Sequence, residues 1–382
     1  MALRLHAFAS FLSTDVGQYG GASGVTISGG RLAVPMDGSA YHDFGMDFTD
    51  LAALAVHWAC AEQVAVDSWG GAEGDEVRIW RSEAGGSTRP TLWAVVTGSG
   101  YRIRLKNGPT TVLGTGTTVF SFGDANRYGM RIQTDGTRIK VEYGGWLELD
   151  VASALQLNVD HTGMGASSNL DATKYIRSGP VHTWSGDSES DRPAIDASFV
   201  EYLPNSSTSV HHDQWADVNP GGTAKWDTVN DAAWDDETTW NETTTINGNY
   251  SQSYKLPDTA VPSNFRAFGE FARARKTVDA KTATFNCYIC DGTNDRTPGN
   301  VISSNVFAVF RAAWNLAPDG AAWAQADVDL LELVVRGVFG ADVVRIRCTA
   351  IRGEAVGVAA GDALSPAPGA AADRRRLLAQ VI

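Results

Sequence analysis

Short runs in which apolar and polar residues alternate make up most of the first half of the chain. Residues 3–12 alternate in this way, which predicts a half-buried first strand. Residues 51–65 form the longest apolar stretch of this half, and we interpret them as a strand, although their length also suits a helix. Later runs are separated by turn signals such as Asn107-Gly108. Short strands that repeat about every 8–12 residues predict a β-sandwich or a barrel.

The second half continues this pattern and ends in a segment that we expect to close the fold. Residues 307–314 and 343–352 are predicted strands. Between them we predict a turn at residues 318–320 and a short helix over residues 324–333, with Asp327 as its N-cap. The apolar face of this helix consists of Val328, Leu331 and Leu333.

Composition favours a protein made almost entirely of β-structure. Of 382 residues, 43% are hydrophobic and 40 are glycine. Because a domain usually holds about 100–200 residues, the length predicts two domains. The predicted fold is all-β, with two jelly-roll-like β-sandwich domains in tandem, a short helix near the C-terminal end and an extended C-terminal tail. The predicted parts are a β-sandwich over residues 1–204, a second over 205–358, and a Pro/Ala linker with a basic tail over 359–382.

Charge and hydropathy exclude several classes of partner. The formal net charge is −13, which disfavours nucleic acid. No apolar run reaches the about 18–20 residues of a membrane helix, so membrane insertion is not expected. The first residues fit a strand better than a signal peptide, and we expect synthesis in a host cytoplasm.

The four cysteines do not predict a disulfide framework, because they are few and scattered. Cys287 and Cys290 lie in a predicted strand, where a spacing of three residues points them to opposite faces. We therefore expect neither a disulfide nor a metal ion shared between these two residues.

The closing segment holds an ordered set of aromatic, turn, acidic and apolar residues. They are Trp314, Asn315, Pro318, Gly320, Trp323, Ala326, Asp327, Val328, Leu331 and Glu332. In this order they resemble the C-terminal module common in virion proteins of tailed bacteriophages, with its pattern W…NP-x-G-x-x-W-T-x-A-D-V-N-x-L-E-x-G-V. The chain departs from the pattern at Ala324, where the family prefers threonine, and at Val334, where it prefers glycine. Residues 226–245 and 268–282 resemble further segments of the family, so the resemblance covers residues 194–358.

The first half carries a second resemblance in a predicted hairpin. Its residues are Tyr128, Arg131, Ile132, Gly136, Ile139, Val141, Tyr143 and Gly144. They are similar to the strand pair on the curved face of laminin G and concanavalin A-like jelly rolls. A carboxylate pair that the phage proteins carry further along is replaced here by Ala172-Thr173-Lys174, so the calcium or structural role of that pair is not carried over.

These resemblances imply a virion protein of a tailed phage. They imply a fibre, a spike or a minor tail or decoration protein that acts by assembly, with host-surface attachment as a further role. The implied partners are other virion proteins and host-surface glycans, and a homotrimer is expected by analogy with phage spikes. The alternative is a soluble glycan-binding module of lectin type and, after it, a glycan hydrolase. No catalytic residue is predicted, and no cofactor apart from the Ca²⁺ considered below.

Four tryptophans of the first half are the candidates for carbohydrate binding, because an exposed indole ring can stack on a sugar. They are Trp69, Trp80, Trp93 and Trp146. The alternative for most of them is burial in the core.

An enzyme is not expected. A glycosidase needs two carboxylates about 5–9.5 Å apart. Glu142, Glu148 and Glu201 lie on or near predicted strands, but they do not form an E-x-D-x-E strand. Patterns of the GxSxG, HExxH, P-loop and GxGxxG types are absent from the sequence.

An acidic cluster is the candidate metal site. Asp227, Asp231, Asp235 and Asp236, with Glu237, offer several oxygen ligands within a short span, as Ca²⁺ requires. Because the D-x-D-x-D-G spacing of a known calcium loop is missing, a solvated turn is the preferred interpretation and Ca²⁺ the alternative.

Two further polar segments each have a structural and a functional interpretation. His211, His212 and Asp213 are interpreted as a loop triplet without a metal role. Neighbouring side chains diverge on an extended chain, and no cysteine or carboxylate lies at ligand spacing in the sequence. The C-terminal tail is interpreted as a docking peptide, in which arginines pair with an acidic neighbour and leucines fill a groove. The residues of this docking tail are Arg374, Arg375, Arg376, Leu377 and Leu378.

Overall fold

The structure is a computed structural model of the chain. It describes residues 3–12, 24–37, 42–44, 47–48, 55–82, 89–157, 162–165, 169–208, 210–215, 224–230, 239–245, 247–278, 281–297, 301–341 and 344–361. In this part of the chain no helix is both long enough and apolar enough to cross a bilayer.

The described residues are almost entirely β-structure, which confirms the predicted fold class. Up to residue 186 the strands are β1 Arg4–Ala9, β2 Thr26–Ser28, β3 Arg31–Asp37, β4 His42–Phe44, β5 Asp47–Phe48, β6 Val56–Val66, β7 Glu76–Ser82, β8 Pro90–Thr97, β9 Gly100–Asn107, β10 Thr111–Thr115, β11 Phe120–Ser121, β12 Tyr128–Thr134, β13 Arg138–Tyr143, β14 Trp146–Ala152, β15 Thr162–Met164, β16 Asn169–Ser178 and β17 Val181–Gly186.

The later elements are again strands, apart from short helical turns. They are β18 Pro193–Tyr202, β19 Asn241–Thr245, β20 Gly248–Lys255, β21 Phe265–Lys276, β22 Ala283–Cys290, β23 Asp295–Arg296, β24 Ala308–Trp314, helix α1 Gln325–Asp329, β25 Glu332–Phe339 and β26 Val344–Ala360. Single 3₁₀ turns lie at Glu189–Asp191 and Trp226–Thr228.

The chain divides into two compact units. The first comprises Met1–Gly45, Ala52–Ala197 and Ala359–Ile382, and the second comprises Met46–Leu51 and Ser198–Val358. The predicted domain limits after residues 204 and 358 stay predictions about independently folding parts.

The first unit is a sandwich of two sheets. One has the strand order β14-β13-β12-β6-β16-β3-β2, with β17 joining β6 to β1, and the other has the order β10-β9-β8-β7-β15-β4, with β11 beside β9. Tyr101 on β9 and Tyr143 on β13 join the two sheets through a 2.9 Å hydrogen bond between their hydroxyls. The predicted hairpin is β12 with β13, and Gly136 supplies the positive φ of +82° that its turn requires.

Buried polar groups in this core have defined partners. The Trp58 indole N–H donates to Gln133 Oε1 at 3.1 Å. His182 accepts the indole N–H of Trp184 on Nδ1, so its Nε2 carries the proton and donates to the Ile195 carbonyl at 2.8 Å. Burial lowers the pKa of His182 to about 4, which keeps the ring neutral.

Two strand predictions for this unit have different outcomes. The described part of the apolar stretch at residues 51–65 is confirmed as a strand, since β6 spans Val56–Val66, and residues 51–54 lie outside the described residues. The prediction that the first strand is half-buried is wrong, because every residue from Leu5 to Ala9 is at most 2% exposed. His6 tolerates this burial through a 2.8 Å contact between its Nε2 and Ser185 Oγ.

The second unit is also a sandwich of two sheets. One has the order β18-β26-β21-β24-β5 with β19 beside β26, and the other has the order β20-β25-β22-β23. The ladder of β22 with β25 is antiparallel, whereas β24 pairs with β5 in parallel. Large apolar side chains from both sheets share one core, among them Phe268, Tyr254, Tyr288 and Trp314.

The closing segment of this unit is confirmed in outline and corrected in detail. The predicted strand at 307–314 is β24, and the last strand is β26. The helix is shorter than predicted and follows Ala324, which occupies the N-cap position. Asp327 is therefore not the N-cap: its carboxylate accepts the backbone N–H of Ala324 at 2.6 Å. Val328, Leu331 and Leu333 are buried as expected, the last two beyond the helix end.

Candidate functional site

The four candidate tryptophans lie in different environments. Trp80 and Trp93 are 2% and 6% exposed, so the expectation of exposed rings does not hold for them. The Trp93 indole N–H donates to Thr91 Oγ1 at 2.9 Å, and Lys106 Nζ covers the ring at 4.3 Å from its centroid. Trp69 is half-buried, and Trp146 is 38% exposed. Only these two rings of the four have surface available for a sugar, and carbohydrate binding by them stays a prediction.

The three carboxylates considered for glycoside hydrolysis have polar partners. Glu142 accepts a 2.6 Å hydrogen bond from Arg131 inside the first unit. Glu148 accepts the backbone N–H of Thr118 at 3.2 Å. Glu201 belongs to the second unit, where the largely buried Arg352 donates to it at 2.5 Å. None of these contacts assembles the three into one site.

An arginine cleft of about 380 Å³ lies in the first unit. We define it by Arg31, Arg127, Arg177 and Asp124, which lie around the start of β3, the turn before β12 and the end of β16. Three arginines and Asp124 line the cleft, and Arg177 is also paired with Asp67, so three cations face two carboxylates on a chain whose formal net charge is −13. The cleft is therefore a local positive site on an acidic protein.

Hydrogen bonds hold the arginine cleft in place. Arg31 forms an ion pair with Asp124 and donates to the Gln63 carbonyl at 2.9 Å. The Arg127 guanidinium donates to the Asp124 carbonyl at 3.0 Å. Arg31 donates a hydrogen bond to the Asp124 carboxylate. This bond is the main cause of the lowered pKa of that carboxyl. Arg177 is held separately by Asp67 at 2.6 Å.

The exposure of these arginines differs in a way that matters for binding. The side chain of Arg127 is 47% exposed and that of Arg31 is 12% exposed. Arg31 therefore acts mainly as part of the wall, whereas Arg127 presents its charge to solvent. A carboxylate, sulfate or phosphate group suits such a site, because the planar guanidinium group can donate two parallel hydrogen bonds to two oxygens of such an anion.

A second polar cluster lies in the second unit and was not foreseen. His211, His212, Cys290 and Asp295 place their candidate ligand atoms within 4.8 Å of one another. The interpretation of the histidines as a loop without ligand partners rests on the premise that their side chains diverge, and this premise is wrong. The chain bends at His211, and the two imidazole rings approach to 4.4 Å between centroids instead of diverging.

The other predicted sites fall largely outside the described residues. In the acidic cluster, only Asp227 is described, and it is exposed in a 3₁₀ turn. Asp231, Asp235 and Asp236 lie outside, so calcium binding stays a prediction. All five residues of the docking tail also lie beyond the last described residue.

Sequence patterns gave no signal for either the arginine cleft or the histidine and cysteine cluster. Arg31 and Arg177 are 146 positions apart in the chain, and Cys290 follows His212 by 78 positions. Only strand pairing brings these side chains together. The Asp291-Gly292 turn signal next to Cys290 was the one local hint, because it predicts a hairpin that returns towards the cysteine.

Comparisons with known proteins give low similarity throughout. No protein-family model matches the chain, and no curated protein sequence matches it. The exoplasmic/lumenal domain of VIP36, in its Ca²⁺/Man2-bound form, is 9% identical with a TM-score of 0.32, over 49% of this chain and 82% of that chain.

Two further solved structures are similar over the same share of the chain. The CBM2 module of the evolved Dit of Lactobacillus casei BL23 phage J-1 is 8% identical with a TM-score of 0.35, over 49% of this chain and 98% of that chain. The alginate lyase AlgAT5 from Polysaccharide Lyase family 7 is 16% identical with a TM-score of 0.33, over 48% of this chain and 95% of that chain. At these values the similarity transfers neither a ligand nor an activity to this chain.

Proposed function

We propose that this chain is a structural, non-catalytic component of a tailed-phage particle. In this role it would act by assembly with other virion proteins as a fibre, spike, or minor tail or decoration protein. A homotrimer and a location in the virion are part of the proposal, by analogy with phage spikes.

One observation carries the proposal: several of the residues that resemble the phage module serve the fold, namely Trp314, Gly320, Trp323, Asp327 and Val328. The indole N–H of Trp323 donates to the Trp314 carbonyl at 2.9 Å. Gly320 adopts a positive φ of +85° in the turn before the helix. Asp327 ties down the N-terminus of α1, and Val328 is 2% exposed. A pattern whose members hold a sandwich closed is expected of an assembly module, whereas a catalytic pattern would place reactive groups in a cleft.

Quantitative mass spectrometry on purified particles from the genome that encodes this chain tests the proposal. We expect the chain in a stoichiometric number of copies per particle, and the copy number distinguishes head decoration from a neck or tail component. A soluble host protein of similar abundance, followed through the same gradient, is the control. Absence of the chain from clean particles would end the proposal.

A second candidate function, glycan binding by the first unit, is favoured by the arginine cleft. Its local positive charge suits acidic sugars, such as uronic acids or sulfated and phosphorylated glycans. Saturable binding of an acidic oligosaccharide should weaken at least tenfold in Arg127→Ala, since a lost charge-assisted hydrogen bond is worth about 1.5–3 kcal/mol. Arg138→Ala is the matched control, because Arg138 is an exposed arginine of the same unit that pairs with Asp150 outside the cleft. Equal binding by both variants would exclude the cleft.

A further inference from the structure

The cluster of His211, His212, Cys290 and Asp295 has nearly the dimensions of a four-ligand metal site. All four ligand atoms lie within 4.8 Å of one another, and His212 Nε2 is 3.1 Å from Asp295 Oδ1. Around a tetrahedral zinc ion, neighbouring ligand atoms are about 3.3–3.8 Å apart, given bonds of about 2.0–2.3 Å. Side-chain rotations that move the ligand atoms by about 1 Å would close the cluster on an ion, without a change in the backbone.

Hydrogen bonds fix the backbone of the two histidines in place. The His211 N–H donates to Glu332 Oε2 at 2.8 Å, and the His212 N–H donates to Ser253 Oγ at 3.2 Å. The His212 carbonyl accepts the backbone N–H of Ser253 at 2.8 Å. The segment that carries both imidazoles is therefore fastened to β20 and β25. Part of the entropy cost of ordering the two rings is thus met by folding, before any ligand binds.

The other two residues come from one tight hairpin. Cys290 at the end of β22 pairs directly with Asp295 at the start of β23. The turn between them is stabilised by the Asp291 carboxylate, which accepts the backbone N–H groups of Thr293 and Asn294 at 2.8 and 2.6 Å. Gly292 provides the positive φ of +84° that the turn needs. The geometry of the hairpin thus fixes the spacing of the sulfur and the carboxylate.

Outer contacts orient the two ligands that become anionic. The Gly292 N–H donates to Cys290 Sγ at 3.2 Å. Arg336 Nη2 lies 3.2 Å from Asp295 Oδ2, which leaves Oδ1 turned towards His212. Arg336 itself stacks on the Tyr288 ring, with its Cζ 4.2 Å from the centroid. Second contacts of this kind hold the ligands of metal sites in position.

We propose that His211, His212, Cys290 and Asp295 form a structural zinc site. The donor set of two imidazoles, one thiolate and one carboxylate suits zinc, whereas Ca²⁺ and Mg²⁺ prefer oxygen ligands alone. Four protein ligands fill a tetrahedral shell and leave no open position for a substrate, so the ion has a structural role. It fastens the segment before β20 to the β22–β23 hairpin, and β20 and β23 are the two opposite edge strands of this sheet. This inference is independent of the proposed virion role.

Cobalt substitution tests the site in the full-length chain, because Co²⁺ takes tetrahedral zinc sites and reports its ligands in the absorption spectrum. We expect one equivalent of Co²⁺ to give intense visible bands of tetrahedral cobalt and a near-ultraviolet thiolate-to-cobalt band, both removed by one equivalent of Zn²⁺. Zinc should also raise the melting temperature, and a chelator should reverse the increase.

Matched variants make the outcome specific. Cys290→Ser should abolish the thiolate band, and His211→Ala, at an exposed position, should weaken Co²⁺ binding at least tenfold without unfolding the chain. Cys287→Ser is the control, because Cys287 is a buried cysteine of the same strand outside the cluster. Absence of the cobalt bands in the folded wild-type chain, or a thiolate-to-cobalt band that persists in Cys290→Ser, would overturn the proposal.

Discussion

At the scale of single residues, two buried carboxylates of the second unit have opposite surroundings. Glu242 is 1% exposed and accepts hydrogen bonds from Arg345 at 2.9 Å and Arg347 at 2.6 Å. Glu270 is fully buried, and neither of its carboxyl oxygens has a hydrogen-bond partner of ordinary geometry among the described residues. Burial raises the pKa of Glu270 well above its usual range, and the backbone N–H of Val334 offsets this only in part. Burial therefore favours the protonated form of Glu270 in the folded chain.

We expect Glu270→Gln to stabilise the second unit, and increasingly so at higher pH. Because the pKa is higher in the folded than in the unfolded state, the stability from the protonated carboxyl is complete below the unfolded value of 4.5. It is lost as the pH rises towards the folded pKa. Glutamine does not ionise. The difference in free energy of unfolding between the variant and the wild type should therefore increase by up to about 1.4 kcal/mol per pH unit in favour of the variant. Chemical denaturation at a series of pH values measures this difference.

Glu242→Gln is the matched control at a paired carboxylate. It should lower the free energy of unfolding by about 2 kcal/mol, since two partly exposed guanidinium groups lose their charged acceptor. A Glu270→Gln variant whose advantage does not change with pH would contradict the protonated state inferred for Glu270.

At the scale of elements, helix α1 lacks half of its N-terminal cap. Ala324 has the extended backbone of an N-cap residue, with φ −133° and ψ 166°, but its methyl group accepts no hydrogen bond. Asp327 supplies the reverse contact by accepting the Ala324 N–H. The virion module that this segment resembles prefers threonine here, and a hydroxyl at this position completes the reciprocal pair.

We expect Ala324→Ser to raise the free energy of unfolding by about 0.5–2 kcal/mol, because the serine hydroxyl adds a second acceptor for the Asp327 N–H, which now donates to the Ala324 carbonyl at 3.2 Å. Thermal and chemical unfolding of the full chain measure the gain. Ala326→Ser, an exposed substitution inside the same helix, is the control and should be neutral or slightly destabilising. Equal effects of the two substitutions would show that Ala324 is not a capping position.

At the scale of the whole molecule, each unit has its own core and its own pair of sheets. Tyr101 and Tyr143 join the sheets of the first unit, while Phe268 and Trp314 belong to the core of the second. Units that are compact and separately packed unfold as separate cooperative transitions.

Calorimetry on the full-length chain should therefore show two transitions. Glu270→Gln should move only the transition of the second unit. Tyr143→Phe removes the 2.9 Å hydroxyl contact and should lower only that of the first, by about 2–4 °C for each kcal/mol lost. One transition that shifts as a whole in both variants would mean that the units unfold together.

The sequence by itself determined the fold class, most strands and the closing segment, because periodicity and turn chemistry act over a few neighbouring residues. Asp135 and Gly136 made the β12–β13 turn predictable: the carboxylate accepts the backbone N–H of Arg138 at 2.8 Å, and the glycine takes the positive φ. The strand at β6 and the buried face around Val328 follow from the same local patterns.

Only the tertiary structure decided which side chains are buried and which of them meet. Trp80 and Trp146 look alike in the sequence, yet one is 2% and the other 38% exposed, because exposure depends on what covers each strand. The arginine cleft and the cluster around Cys290 combine residues that are far apart in the chain. Their assembly depends on strand register and on one backbone bend at His211, and neither leaves a periodic trace in the sequence.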